Sequence, residues 1–322
     1  MNEYNEELNT FNEKIKRAME AHFGEEYDVD VKEVNKTNGL VIHGLTILKK
    51  TEHVCPTIYL ESYFERYSTG EPLGSIVSEI IGLFNESSSV SPEGLEFFTC
   101  YDEVKPRLHV KIINRRMNEK LLENVPNLQF LDLALVAVVK VDIAGCGTGT
   151  ILVHNNHICM WGVSKERLMK DAMKQMRNSC KAKIVRMEDM IEEIYERIKT
   201  EDAGGIDDDY TKSGIGSVCG MYVISNEETM FGAAMIAFPE VLKEISDKLG
   251  GDYYILPSSV HEVIAISKDM VSEPVGLNNM IREVNSSTVK QDEILSDHAY
   301  LYLSENNVLV SVNGEYAKEN FD

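Results

Sequence analysis

The stretch GGDYYILPSSVHEVIAISKD, residues 250–269, decides the fold. Gly250-Gly251 is a helix stop, and Tyr253–Leu256 is an aromatic and aliphatic run suited to a pleated, buried strand. Pro257-Ser258-Ser259 is turn chemistry, and HEVIAIS reads as a second strand. Two strands joined by so short a link can only pair antiparallel. A helical pattern follows in EPVGLNNMIREVN, with Pro274 in a first-turn position.

Working outward, the same unit recurs as a pattern rather than as a sequence repeat. Upstream, GMYVIS, a turn NEE and TMFGAAMIAF read as a hairpin, followed by a helix PEVLKEISDKLGG that starts at Pro239. Before that, TILVH, a turn Asn155-Asn156 and HICMWG read as a third hairpin, followed by a helix after Ser164, an N-cap residue. A closing hairpin, AYLYL–SENN–VLVSV, lies near the C-terminal end. Hairpins that feed helices predict an α+β fold of antiparallel sheets, with helices packed on one face and two subdomains.

The N-terminal part fits this class. Leu8, Phe11, Ile15, Met19 and Phe23 recur at helical spacing over Asn5–His22. VDVKEV, NKTNG and LVIHGLTIL predict a hairpin with Asn38-Gly39 in the turn. VCPTIYL fits a strand or a helix entry, and EPLGSIVSEIIGLFNES a helix. Two strands are expected at about 107–113 and 131–142, with a short helical or looped piece around Asn118–Glu123 that Pro126 prevents from continuing. TEDAGGIDDDYTKSGIGS lacks apolar periodicity. This divides the chain into 1–199, a linker or mobile loop at 200–217, and 218–322.

Composition narrows the function classes. The 322 residues carry 53 acidic against 32 basic side chains, a net charge of −21. Such a surface repels a phosphate backbone, so nucleic acid is an improbable partner and a basic protein a better one. The positives in KDAMKQMRNSCKAKIVR are read as a solvated helix face. No run of about 18 apolar residues predicts a membrane span, and the acidic start lacks a signal-peptide h-region. A cytoplasmic protein is expected. The six cysteines (Cys55, Cys100, Cys146, Cys159, Cys180, Cys219) stand singly, which suits reduced, buried thiols rather than a disulfide or zinc framework.

Several clusters could carry chemistry. Ser258, Ser259 and His261 offer a nucleophile and a base, but without a G-x-S-x-G elbow, and with Glu262 on the opposite strand face from His261, the turn reading is preferred. His154, His157 and Cys159 could converge on a metal across the Asn155-Asn156 turn; no fourth ligand stands near, and a packed hairpin is preferred. AGCGTGT, residues 144–150, leads into a strand rather than a helix and so is not a phosphate loop. Asp207-Asp208-Asp209 lacks the calcium-loop pattern. Asn114, Arg115 and Arg116 after the strand HVKIIN could grip a phosphate or carboxylate, though a surface or helix-start role is simpler. Trp161 is read as a core or edge anchor. No cofactor is expected.

Three stretches, PRLHVKIINRRMNEKLLENVPNLQFLDLALV, GTILVHNNHICMW and GGDYYILPSSVHEVI, resemble an uncharacterised domain-of-unknown-function family of anaerobic Gram-positive gut bacteria, often encoded near mobile elements. The resemblance covers nearly the whole chain. More weakly, LGGDYYILPSSVHEVIAI is similar to a second uncharacterised Gram-positive family. Neither implies an activity or catalytic residues, only a bacterial cytosol. Three function classes are therefore held: a non-enzymatic interaction or regulatory protein, a hydrolase or transferase on an unfamiliar scaffold, and a small-molecule or metal sensor. The first is preferred. The oligomeric state is left open.

Overall fold

A computed structural model describes residues 2–51, 57–87, 97–143, 147–201 and 220–312. The chain folds as two compact units, residues 1–104 with 140–151, and residues 105–139 with 152–322.

In the first unit, α1 (Asn2–Phe23) places Leu8, Phe11, Ile15 and Met19 on one buried stripe. Strands β1 (Tyr27–Asn35), β2 (Val41–Lys49) and β3 (Thr57–Tyr59) form an antiparallel sheet in that order. The expected hairpin is present, with Asn35 opposite Val41 and both Asn38 and Gly39 at positive φ. VCPTIYL resolves into both of its readings: its last residues form β3, and α2 (Glu61–Ser68) begins two residues later. The apolar faces of α2 and α3 (Leu73–Ser87) complete a core around Phe11, Leu45, Phe64 and Ile80. The short α4 (Tyr101–Val104) follows.

The second unit holds β4 (Leu108–Asn114), α5 (Glu119–Leu122), β5 (Asn127–Phe130) and most of β6 (Leu133–Ile143), in the order β4-β6-β5. β7 (Gly147–Leu152) also pairs with β6. After it come α6 (Asn155–Trp161), α7 (Lys165–Ser179), β8 (Ala182–Arg186), α8 (Met187–Glu201) and β9 (Met221–Asn226). Last come α9 (Pro239–Leu249), β10 (Tyr253–Pro257), β11 (Val263–Ser267), α10 (Pro274–Ser287), β12 (Tyr300–Leu303) and β13 (Val308–Ser311). A six-stranded sheet runs β13-β12-β10-β11-β9-β8, antiparallel throughout. The class is antiparallel α+β. β8 and β9 share this sheet although they flank residues 202–219, and the compact units divide elsewhere.

Three local readings need correction. HNNHICMW is helix α6, not a hairpin: His154 is extended, Gly162 closes the helix at φ 64, and the Gly162 N–H donates to the Cys159 carbonyl. In TMFGAAMIAF the turn is present, but Gly232–Ala237 wind into a buried 3₁₀ helix instead of a strand. Helices also cover both faces of the large sheet rather than one. Tyr254, Leu256 and Ile266 pack on Leu277 and Ile281 of α10, while Tyr253, pointing the other way, donates its hydroxyl to the Leu242 carbonyl of α9 at 2.9 Å.

Candidate functional site

An open cleft of about 900 Å³ lies in the second unit, where the β4 end, the β5–β6 turn and the segment before β12 meet. Asn114, Arg115 and Arg116 line it together with Asp132, Asp297 and His298.

Asn114 ends β4 and ties its neighbours together. Its side chain donates to the Leu295 carbonyl at 2.7 Å and accepts from the Met117 N–H at 2.8 Å, while its carbonyl accepts from the buried Asn118 amide. Arg115 then opens a short 3₁₀ turn, so both arginines are helix-start residues and cleft-lining residues at once. Neither guanidinium has an ion-pair or hydrogen-bond partner among the described residues.

Asp132 reaches the cleft through a strained turn. Phe130 pairs with Leu133, which leaves only Leu131-Asp132 between the strands, and Leu131 takes φ 55. A left-handed leucine is uncommon and costs on the order of 1–3 kcal/mol. Its side chain is buried, and Asp132 is fixed by three bonds. The Asp132 carbonyl accepts from the Arg115 N–H at 3.2 Å. Its carboxylate takes the Tyr300 hydroxyl at 2.7 Å and stands 3.0 Å from His298 Nε2. Burial pushes the carboxyl up, but the His298 and Tyr300 hydrogen bonds together outweigh it and hold Asp132 below the usual carboxylate range.

His298 Nδ1 faces the Ala299 carbonyl at 3.1 Å. Both ring nitrogens therefore meet acceptor oxygens, an arrangement that favours the doubly protonated ring. Helix α10 holds this segment in place. Asn278 accepts the Ala299 N–H at 2.9 Å, and Asn285 donates to the Ser296 carbonyl and to Asp297 at 2.9 Å. The aspartates of the cleft are thus engaged inside the protein, and the two arginines are turned outward to it.

The other predicted residues lie elsewhere. Ser259 Oγ accepts from the His261 backbone N–H at 3.1 Å, and the Ser259 N–H donates to the Glu262 carbonyl, as a turn requires. The His261 ring stacks on Phe231, accepts the Phe231 N–H at Nδ1 and places Nε2 3.9 Å from Glu293. No hydrogen bond joins the His261 ring to Ser258 or Ser259 among the described residues. His154, His157 and Cys159 belong to α6 and its cap. His157 Nδ1 accepts the His154 N–H, its ring packs beside Trp161, and Cys159 is exposed. Burial and the neighbouring His154 lower the His157 pKa. The three residues do not gather their ligand atoms. Of the described cysteines, Cys180 is buried as expected, while Cys100 and Cys159 are exposed. Asp207–Asp209, Cys55, Cys146 and Cys219 fall outside the described residues, as do residues 144–146 of AGCGTGT.

Sequence reasoning missed Asp132, His298 and Tyr300. Asp132 and His298 are 166 residues apart, and no motif links them. The one available signal was the aspartate in a two-residue turn.

No helix among the described residues is long and apolar enough to cross a membrane. No curated protein and no solved structure is significantly similar to the chain. A family model described as a family of unknown function, DUF5688, matches residues 8–304, which is nearly the whole chain and both compact units. The chain belongs to that family of unknown function, DUF5688.

Proposed function

We propose that this is a non-enzymatic, cytoplasmic bacterial regulatory or interaction protein whose cleft takes a small anion, a carboxylate or a phosphate. The observation that carries this reading is the pair Arg115 and Arg116, which line the cleft without an ion-pair partner among the described residues of a chain with 53 acidic side chains. A guanidinium fork matches either anion with two parallel hydrogen bonds. Three acidic side chains line the cleft: Asp132 is occupied by His298 and Tyr300 and Asp297 by Asn285, while Glu119 forms no ion pair with either arginine among the described residues.

Binding is favoured over catalysis because of His298. A general base needs an unprotonated nitrogen facing substrate, and here both nitrogens face acceptors within the protein. The strongly acidic surface favours a basic protein as the partner that would respond to ligand, and disfavours nucleic acid.

Thermal melts of the full chain against a panel of simple carboxylates and phosphates test the reading. A ligand held at 100 times its dissociation constant stabilises by about 2.7 kcal/mol. One anion class should therefore raise the melting temperature of the wild type, and the double variant Arg115→Gln, Arg116→Gln should lose that rise. Equal rises in both proteins, or none in the wild type, would sink the anion-cleft reading.

A further inference from the structure

Away from the cleft, His109, Cys180 and Glu228 bring one ring nitrogen, one thiol sulfur and one carboxylate oxygen within 4.8 Å of one another. We propose that these three residues form a binding site for a zinc-type divalent transition-metal ion.

The fold itself creates the meeting. β8 and β9 pair with Ala182 opposite Asn226; continuing that antiparallel register by two residues sets Cys180 opposite Glu228. The next rung confirms the continuation, because the Glu227 N–H donates to the Lys181 carbonyl at 3.2 Å. Cys180 is also the residue on which α7 ends, with its N–H bonded to the Met176 carbonyl at 2.9 Å. The other end of α7 is fastened beside the start of β4: Lys105 pairs with Asp171 at 3.1 Å, and Gln175 donates to the Pro106 carbonyl. That brings His109, the second residue of β4, to the same place.

The loop that carries Glu228 is tightly held. Asn226, fully buried, donates to the Met230 carbonyl at 2.8 Å and accepts its N–H at 3.2 Å. Thr229 and Phe231 both take positive φ. Lys111, on the same face of β4 as His109, sets its ammonium over the Phe231 ring, so this loop covers that face.

The donor set selects the metal. Thiolate and imidazole suit zinc or cobalt(II), whereas magnesium and calcium require oxygen cages. Bond lengths of about 2.0–2.3 Å put neighbouring ligand atoms of a tetrahedral zinc site about 3.3–3.7 Å apart, so a spread within 4.8 Å needs only small side-chain adjustments. His109 Nδ1 lies 3.4 Å from the Arg107 carbonyl, the outer contact that commonly orients a ligating imidazole through its second nitrogen. His109 and Cys180 are buried and Glu228 is exposed, so the carboxylate is the entry side and the fourth position opens toward it. On binding, the Cys180 thiol gives its proton to solvent and the sulfur becomes an anionic ligand.

The test is cobalt(II) titration of the chelator-treated full chain, read by absorption, followed by displacement with zinc. One equivalent should give a thiolate-to-cobalt charge-transfer band with tetrahedral visible bands, and zinc should abolish both. Cys180→Ser should remove the charge-transfer band. Glu228→Gln, a change at an exposed position that leaves the core intact, should weaken binding by more than about tenfold. Cobalt uptake without a thiolate band is adsorption to the acidic surface and would overturn the site. So would a Glu228→Gln protein that binds as tightly as the wild type.

Discussion

Leu131 accepts a left-handed backbone, and Asp132 is thereby held between His298 and Tyr300. Removing the charge at Asp132 tests what that arrangement is worth. Asp132→Asn leaves His298, whose side chain is 13% exposed, without its counter-charge. The expected loss is about 2–4 kcal/mol, below the range for a wholly buried pair because Asp132 keeps partial exposure. The sign of the pH dependence follows from the lowered pKa. An aspartate whose folded pKa is depressed gives its full stabilisation above the unfolded value of about 3.9, and loses it as pH falls through the folded value. Urea midpoints of wild type and variant should therefore differ at neutral pH and converge as pH drops from about 5 to about 2. A gap that stays constant down to the acid end would show that the carboxylate is not responsible. Gly232 gives a second residue-scale expectation. A Cβ there would lie 2.6 Å from both the Asn226 nitrogen and the His261 oxygen, and against the Ser225 hydroxyl. Two of these are backbone atoms and cannot swing aside, so Gly232→Ala should lower the unfolding free energy by about 1–3 kcal/mol or more. Of the two sites described, Arg115 and Arg116 were legible because adjacent cations after a strand stand out locally. Asp132 with His298, and His109 with Cys180 and Glu228, were not, since each set is assembled by tertiary pairing of distant segments.

Among the elements, β10 is buried along its whole length, with all five residues shielded from solvent. α9 and α10 press on its two faces, and the contact with α9 includes a polar bond. Tyr253 is fully buried and donates to the Leu242 carbonyl at 2.9 Å; burial pushes its phenol far above the ordinary value, so it stays a donor at any working pH. Tyr253→Phe keeps the ring and removes only that bond, while the Leu242 carbonyl, inside α9, keeps its intrahelical donor four residues on. Chemical denaturation should register a loss of about 1–2 kcal/mol with an unchanged slope. A cost near zero would mean that the hydroxyl's bond to the Leu242 carbonyl adds nothing to the intrahelical one. The same strand explains what could be read from the sequence. DYYIL–PSSV–HEVIAIS has both a continuous apolar run and turn residues, so local chemistry and tertiary packing agree. In HNNHICMW they conflict: Asn-Asn is a good hairpin turn, but only seven residues separate His154 from Gly162, whose left-handed geometry ends a helix. In TMFGAAMIAF every residue from Gly232 to Ala237 is buried. An apolar run buried on all sides has no period to read, and there the strand expectation had no physical footing.

For the molecule as a whole, the excess of 53 acidic over 32 basic side chains sets the response to salt. The visible ion pairs, such as Arg66 with Glu71 and Glu79, or Lys16 with Asp30, sit on the surface and are worth little each. Screening them costs less than is gained by screening the repulsion among the unpaired carboxylates, which opposes the compact state. Raising sodium chloride from about 20 mM to about 200 mM shortens the screening length from roughly 20 Å to roughly 7 Å. The melting temperature should therefore rise by a few degrees, and potassium chloride should act equally, since the effect is one of charge and not of a bound ion. A fall with salt would mean that attractive pairs dominate and that the negative charges are spread too far apart to repel. The same field acts on partners. A duplex DNA probe should show no mobility shift at about 150 mM salt, because there is no surplus of cations to release its counterions. Binding of a basic protein should weaken steeply as salt rises.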